Sequence, residues 1–271
     1  MRYVEYPASA ALAPFVKCHW LVEDAAAQAG DAAEPIVPDG SPELVVHYGA
    51  PYERRDAHGR VQAPCRAAFA GQLTAPLWLA PTGATGVLGV RFRPHGAAAF
   101  LRVPLQSLRN QVVDAEDVWG MDARHLPEQI HEAGHDAARI AVLERFLLAR
   151  LDVPRDHAAL GQAGRLLAAA PDAPSIDDVA ARTGLGRRQL ERGFARQVGV
   201  APKQLARILR FQAVFDRLGE TPSAAWSALA IDCGYYDQAH LIRDFRSFTG
   251  VSPGTWFGDP HALADRFTGL A

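Results

Sequence analysis

From Tyr3 to about Phe92 the apolar residues come in short runs, FVKCHWLVE, ELVVHYG, AAFAG, LWLAP and TGVLGVRFRP, each cut off by clusters such as VPDGSPE and APTGATG. Runs of this length between turn-forming residues predict strands, and strands so closely spaced predict an antiparallel sandwich or barrel. LVVH and VLGVRF either line a cavity or fill the core, and alternation alone does not choose.

After RPHG the period changes. Gly96 to Arg102 and Leu105 to Val112 read as short helices, and HLPEQIHEAGHDAARIAVLERFLLARLD places Ile140, Leu143, Phe146, Leu147 and Leu151 on one face of a longer one. DVPRDH, Asp152 to His157, combines a proline with charges and lacks an apolar period. The expected division is therefore a first domain over 1–152, a second over 158–257 and a tail over 258–271. Beyond the boundary every periodic segment is helical. GQAGRLLAAAP stops at Pro171, and SIDDVAART opens with Ser175 as N-cap and Asp178 at the capping-box position. A long helix is expected from Lys203 to Leu218, with Gly219 as its C′ glycine. The fold class is α+β in two domains, an antiparallel β sandwich or barrel with flanking helices followed by an all-α domain.

Two segments of the helical half repeat. VAARTGLGRRQLERGFARQVGVAP, from Val179, and LAIDCGYYDQAHLIRDFRSFTGVSP, from Leu229, match Ala180 with Ala230 and Gly184 with Gly234 at an offset of 50. After the turn the offset is 51, pairing Leu190 with Leu241, Arg192 with Arg243, Phe194 with Phe245, Gly199 with Gly250 and Pro202 with Pro253. The second turn thus holds one extra residue. A small Ala where two helices cross, a Gly four residues on and a Leu anchoring the next helix are the requirements of a helix-turn-helix. The second helix of each copy turns its other face outward, with Arg187, Arg188, Glu191, Arg192 and Arg196 in the first and Asp237, Gln238, His240, Arg243 and Arg246 in the second. Arg, Gln and Glu are side chains that read base edges in a major groove.

Charge sharpens this reading. The net charge of −2 conceals 15 Lys/Arg against 19 Asp/Glu in residues 1–159, and 12 against 9 in 160–257. Between Arg182 and Arg217 nine basic residues face only Glu191 and Asp216, a density that favours a polyanionic partner. An apolar share of 49% and a charged share of 21% fit a soluble globular protein. The first residues lack an apolar leader and no stretch reaches the roughly 18 apolar residues of a membrane span, so a cytoplasmic protein without a membrane partner is expected. Cys18, Cys65 and Cys233 lack CxxC spacing, and buried free thiols are expected instead of disulfides or zinc.

Residues 174–257 resemble the twin helix-turn-helix domain of AraC/XylS-type transcription regulators, most clearly over CGYYDQAHLIRDFRSFTGVSPGTWF. The resemblance implies seven helices, a linker helix holding two reading helices in successive major grooves, and double-stranded DNA as partner. Its base-facing positions fall on Arg188, Glu191 and Arg192, and on Gln238, Ala239, His240 and Arg243. Ala239 departs from the pattern, because a methyl can at most touch a thymine methyl. Successive grooves lie about 34 Å apart, whereas 16 helical residues span about 24 Å, so half the width of each unit must make up the difference.

PDGSPELVVHYG, GVRFRPHGAAAFL and DVWG are similar to a recurring N-terminal domain of AraC-type proteins. That resemblance implies a regulatory domain, often cupin-like, that binds a small effector or mediates homodimerisation. Arg91, Arg93 and His95 end a strand just before a helix start, where they either dock an anionic effector or fasten the PDGSPE loop through Asp39 or Glu43. His19, His47, His58 and His95 form no His-x-His pair, and no nucleotide-binding glycine loop is present, so neither metal nor cofactor is expected. The rival to a regulator is a cupin-like enzyme or small-molecule-binding protein with an incidental basic helical domain.

Overall fold

The computed structural model describes residues 1–56, 58–169, 174–220 and 226–258. Ten strands come first: β1 (Arg2–Tyr6), β2 (Val16–Asp24), β3 (Glu34–Ile36), β4 (Glu43–His47), β5 (Tyr52–Arg55), β6 (Val61–Gln62), β7 (Ala67–Ala70), β8 (Leu77–Pro81), β9 (Thr85–Phe92) and β10 (Val112–Asp114). Among the described residues every pairing between them is antiparallel. They build two sheets, one in the order β1-β2-β9-β4-β7-β10 and a smaller one in the order β3-β8-β5-β6.

Alternation decides what each face of the larger sheet meets. Leu44 and Val46 of β4, with Leu88, Val90 and Phe92 of β9, join the main core, where they meet Leu126, Ile130, Leu143, Phe146 and Leu147. The intervening side chains, Glu43, Val45, His47, Val87 and Arg91, turn toward the smaller sheet and line a cavity. Enclosed on both faces, β9 is buried at every residue, Thr85 and Arg91 included. Trp20 lies across Gly89 on the cavity side, where an added Cβ would fall 2.0 Å from the indole.

The helices on the outer face are α1 (Ala115–Trp119), α2 (Met121–Arg124), α3 (Leu126–Glu132) and α4 (Asp136–Leu148). Glu144 of α4 accepts from the Ser9 amide at 2.8 Å and stands 2.9 Å from His19 Nε2, tying the helix to β2. The segments expected as short helices shrink to 3-10 turns, Ala97–Ala99 and Leu105–Leu108, and the chain then turns into strand β10 rather than continuing helical to Val112. Leu151 lies beyond α4.

Seven helices follow: α5 (His157–Leu167), α6 (Ile176–Thr183), α7 (Arg187–Gln197), α8 (Pro202–Glu220), α9 (Trp226–Asp232), α10 (Gln238–Thr249) and α11 (Pro253–Trp256). Ser175 caps α6 by accepting from the Asp178 amide at 3.2 Å. Helix α8 passes through Gly219 to Glu220, so the glycine lies inside its last turn instead of beyond it. Pro171 and residues 259–271 of the tail lie outside the described residues.

Candidate nucleic-acid interface and ligand cavity

The two copies superimpose element by element in sequence. Helices α7 and α10 begin at Arg187 and Gln238, 51 residues apart. Gly184 and Gly234 close the first helix of each copy in the left-handed region, at φ 68° and 77°. Their successors turn inward through matching bonds, Leu185 N–H to Ala180 O at 3.1 Å and Tyr235 N–H to Ala230 O at 2.8 Å. Gly199 and Gly250, at φ 90° and 82°, end the second helices, after which Pro202 and Pro253 start α8 and α11. The inserted residue falls among Tyr235, Tyr236 and Asp237: Tyr235 is buried, Tyr236 is 86% exposed, and Asp237 caps α10 by accepting from the His240 amide at 2.6 Å.

Each unit has its own core, and α8 contributes to both. Leu205 joins Leu160, Val179, Leu190 and Phe194, while Ile208, Phe211 and Phe215 join Leu229, Leu241, Phe245, Phe248 and Trp256. In the second unit Arg207 of α8 also donates to buried Asp244 of α10 at 2.7 Å. With Leu190, Phe194, Leu241 and Phe245 inside, the opposite faces are forced outward. Arg187, Arg188, Glu191, Arg192 and Arg196 are exposed on α7, as are Gln238, Ala239, Arg243 and Arg246 on α10. His240 is half-buried, its ring edge-on to Tyr235 at 5.2 Å. Arg187 is held by Glu191 at 3.2 Å and Asp177 at 3.1 Å, and its pKa is raised by that hydrogen bond to Glu191 and by both charges. Among the described residues Arg188, Arg192 and Arg196 are the exposed cations of α7 that make no ion pair.

The cavity between the sheets offers about 90 Å³ to water centres. Its walls are mostly apolar, with Val22, Val45 and Val87 on the larger sheet and Ile36, Leu77 and Leu79 on the smaller. At one end Arg91 is committed to carboxylates, with Glu43 at 2.9 Å, Glu5 at 3.1 Å and Asp39 at 3.5 Å. Of the two readings of Arg91, the structure realises the fastening of the PDGSPE loop. Arg93 and His95 do not join it. Arg93 donates to Ala13 O at 2.9 Å, and His95 stacks on His157 of α5 with ring centroids 4.4 Å apart. Burial, then the neighbouring His157, Arg93 and Arg165, push His95 down to about 3. The three residues are therefore not gathered into one anion dock. Arg54, which sequence reasoning missed, lines the cavity; its signal was alternation in YERR, which puts Tyr52 and Arg54 on one face.

The loop from Val37 to Ser41 joins this cavity to the helical half. Val37, Asp39 and Ser41 line the cavity, and Val37 also sits in the core of the second unit beside Ile208 and Phe211. Gln72 donates to Gly40 O and Gln212 of α8 to Pro38 O, both at 2.6 Å. The first unit touches the first domain directly: α7 packs on the Leu105–Leu108 turn, and a Cβ on Gly199 would come 2.9 Å from Leu105 O.

Comparison with known families finds two matching stretches. Residues 179–259 match a helix-turn-helix domain family (HTH_18), and residues 4–114 match a domain of unknown function (DUF6597). Sequence comparison with curated proteins finds no match. Among solved structures the chain is similar in fold to ToxT of Vibrio cholerae, with 9% identity over 89% of this chain and 97% of that one and a TM-score of 0.51. A second ToxT structure, from strain O395 with (E)-4-(8-methylnaphthalen-1-yl)but-3-enoic acid bound, covers 88% and 97% at 8% identity and a TM-score of 0.50. A probable AraC family regulator from Rhodopseudomonas palustris is 26% identical over 41% of this chain and 97% of its own, with a TM-score of 0.30.

A β-rich first domain joined to two stacked helix-turn-helix units defines a DNA-binding regulator. More particularly, the helix-turn-helix domain at its C-terminal end is of the AraC type. Among the described residues no helix is long and apolar enough to cross a membrane, and no group of three His, Cys, Asp or Glu is placed to hold a metal ion.

Proposed function

We propose that one copy of this protein reads an asymmetric duplex site. Arg187, Arg188, Glu191, Arg192 and Arg196 enter one major groove, and Gln238, Ala239, His240 and Arg243 enter the next. The observation that carries this is the duplicated unit itself, whose anchoring residues are buried and whose polar faces are exposed at matched positions. Helix α8, 19 residues long, spans about 28 Å at 1.5 Å per residue, close to the spacing of successive grooves. Arg192 and Arg243 are the matched pair, and the other reading positions differ, so the two half-sites differ as well.

The first domain tunes this binding through a small effector in its cavity. ToxT, similar in fold, has a solved complex with a small organic molecule; for this chain the support is its own cavity and the Val37–Ser41 loop running from it to α8.

Footprinting with salt titration is the test. Arg192→Ala and Arg243→Ala should each weaken specific binding by about 1–3 kcal/mol and relax preference in one half-site only. Affinity should fall roughly 10³–10⁵-fold between 50 and 200 mM salt if six to ten phosphates are neutralised. Unchanged footprints for both variants would sink the assignment of the reading faces.

A further inference from the structure

The cavity contains two buried guanidinium groups in opposite circumstances. Arg91 is surrounded by Glu43, Glu5 and Asp39. Arg54, from β5 in the facing sheet, is 9% exposed and donates to Ala63 O at 3.1 Å and to Cys65 Sγ at 3.3 Å, while its Nε meets no acceptor. Among the described residues no carboxylate pairs with it. His47 of β4 lines the same space, 5% exposed, with Nδ1 also unpartnered. Burial, then Arg54 and Arg66, push its imidazole down to about 4, so it is neutral at pH 7. Arg66 is already engaged by Glu128 at 2.6 Å.

A buried cation without a counter-charge, next to a neutral ring with a spare nitrogen, is costly to maintain, and native structures seldom leave such groups unsatisfied. We propose that the missing partner is the ligand, a monocarboxylic acid with a compact apolar body whose carboxylate sits on Arg54 and His47 and whose body lies against Val45, Val87, Leu77 and Leu79. This rests on the reading of the first domain as effector-binding and names the class of effector. One guanidinium supplies one positive charge, which suits a carboxylate better than a phosphate dianion, and its fork can hold both carboxylate oxygens. An amine would leave Arg54 uncompensated and would have to compete at the far end with a guanidinium already held by three carboxylates. An alcohol would leave the charge unmatched.

Calorimetry on the full-length protein with 3-phenylpropionate, 3-phenylpropylamine and 3-phenylpropanol, which share one body, decides between head groups. The acid should bind at least tenfold more tightly than the other two. Arg54→Met should weaken the acid tenfold or more without lowering the melting temperature of the unliganded protein, because it removes an uncompensated charge. Arg54→Lys should retain part of the affinity, and Leu79→Trp, which fills the cavity from the smaller sheet, should abolish it. Equal binding of amine or alcohol, or acid binding indifferent to Arg54→Met, overturns the acid assignment and leaves the cavity as an effector site. No binding by any of the three, with Leu79→Trp no different from the parent, overturns both.

Discussion

The two reading units have the same backbone plan and different neighbours. Helix α7 leans on the first domain at the Leu105–Leu108 turn, and its own core is aliphatic apart from Phe194. Helix α10 is packed on α8, α9 and α11 of its own half, around an aromatic core of Phe211, Phe215, Phe245, Phe248 and Trp256. Asp244, gripped by Arg207, stands where the first unit has Gly193, a glycine that lets α7 approach Leu160 with a hypothetical Cβ at 3.0 Å. The first unit thus packs directly on the domain that carries the cavity, and the second is tied to that domain through Val37, which enters its core, and through the Gln212 bond to Pro38 O. Duplication kept the reading geometry and let the means of support diverge.

Removing a central ring from either unit should be the most severe test of this contrast. Phe245→Ala and Phe194→Ala are each expected to cost about 3–5 kcal/mol of stability. Hydrogen exchange should show the first loss spreading from α8–α11 to the Val37–Ser41 loop, and the second to the Leu105–Leu108 turn. A smaller cost, roughly 1.5–3 kcal/mol, is expected for Asp244→Ala, which strips Arg207 of its partner. Denaturant titration should find no such sensitivity for Gly193→Ser, provided Leu160 can yield.

Acid should loosen the first domain and its junction with α5. Burial holds His47 at about 4 and His95 at about 3, both below the ordinary 6.5. The unfolded chain then takes up protons first as pH falls, so the stability these groups contribute is fully present above about 6.5 and declines on acidification toward 4. Between pH 6.5 and 5.5 each should cost about 1 kcal/mol. His95 is the one that touches α5, so His95→Phe should reduce the slope at the domain junction in a pH series of melts. The smallest effect expected is on DNA: a bound effector should change the costs of Arg192→Ala and Arg243→Ala by unequal amounts, on the order of 1 kcal/mol. Equal changes at both arginines would mean the two units respond as one body.

How much of this could be read from the chain depends on how local the signal is. The repeat was legible because helix caps, turn glycines and anchoring leucines recur at offsets of 50 and 51. The long inner strands β2, β4, β7, β8 and β9 were legible from their apolar runs. Strands β1, β3, β5, β6 and β10 were not, since charges break up RYVEY and make up most of YERR, EPI contains a proline, and β6 is two residues long. The polar ends of the cavity escaped for a different reason. Arg54 and His47 belong to separate sheets and meet only when these stack, and the partners of Arg91 come from β1, from β4 and from a loop.

The Val37–Ser41 loop faces an internal space on one side and a linker helix on the other. A substitution there alters which molecules the domain admits and, at the same stroke, how firmly α8 is gripped. Such residues cannot be altered for one role alone, because a shift in specificity would bring a shift in gain. Positions on the opposite wall, Leu77 and Leu79, carry no such double duty. A lineage retuning this protein to a new metabolite, or an engineer building a sensor from it, would find its freedom there.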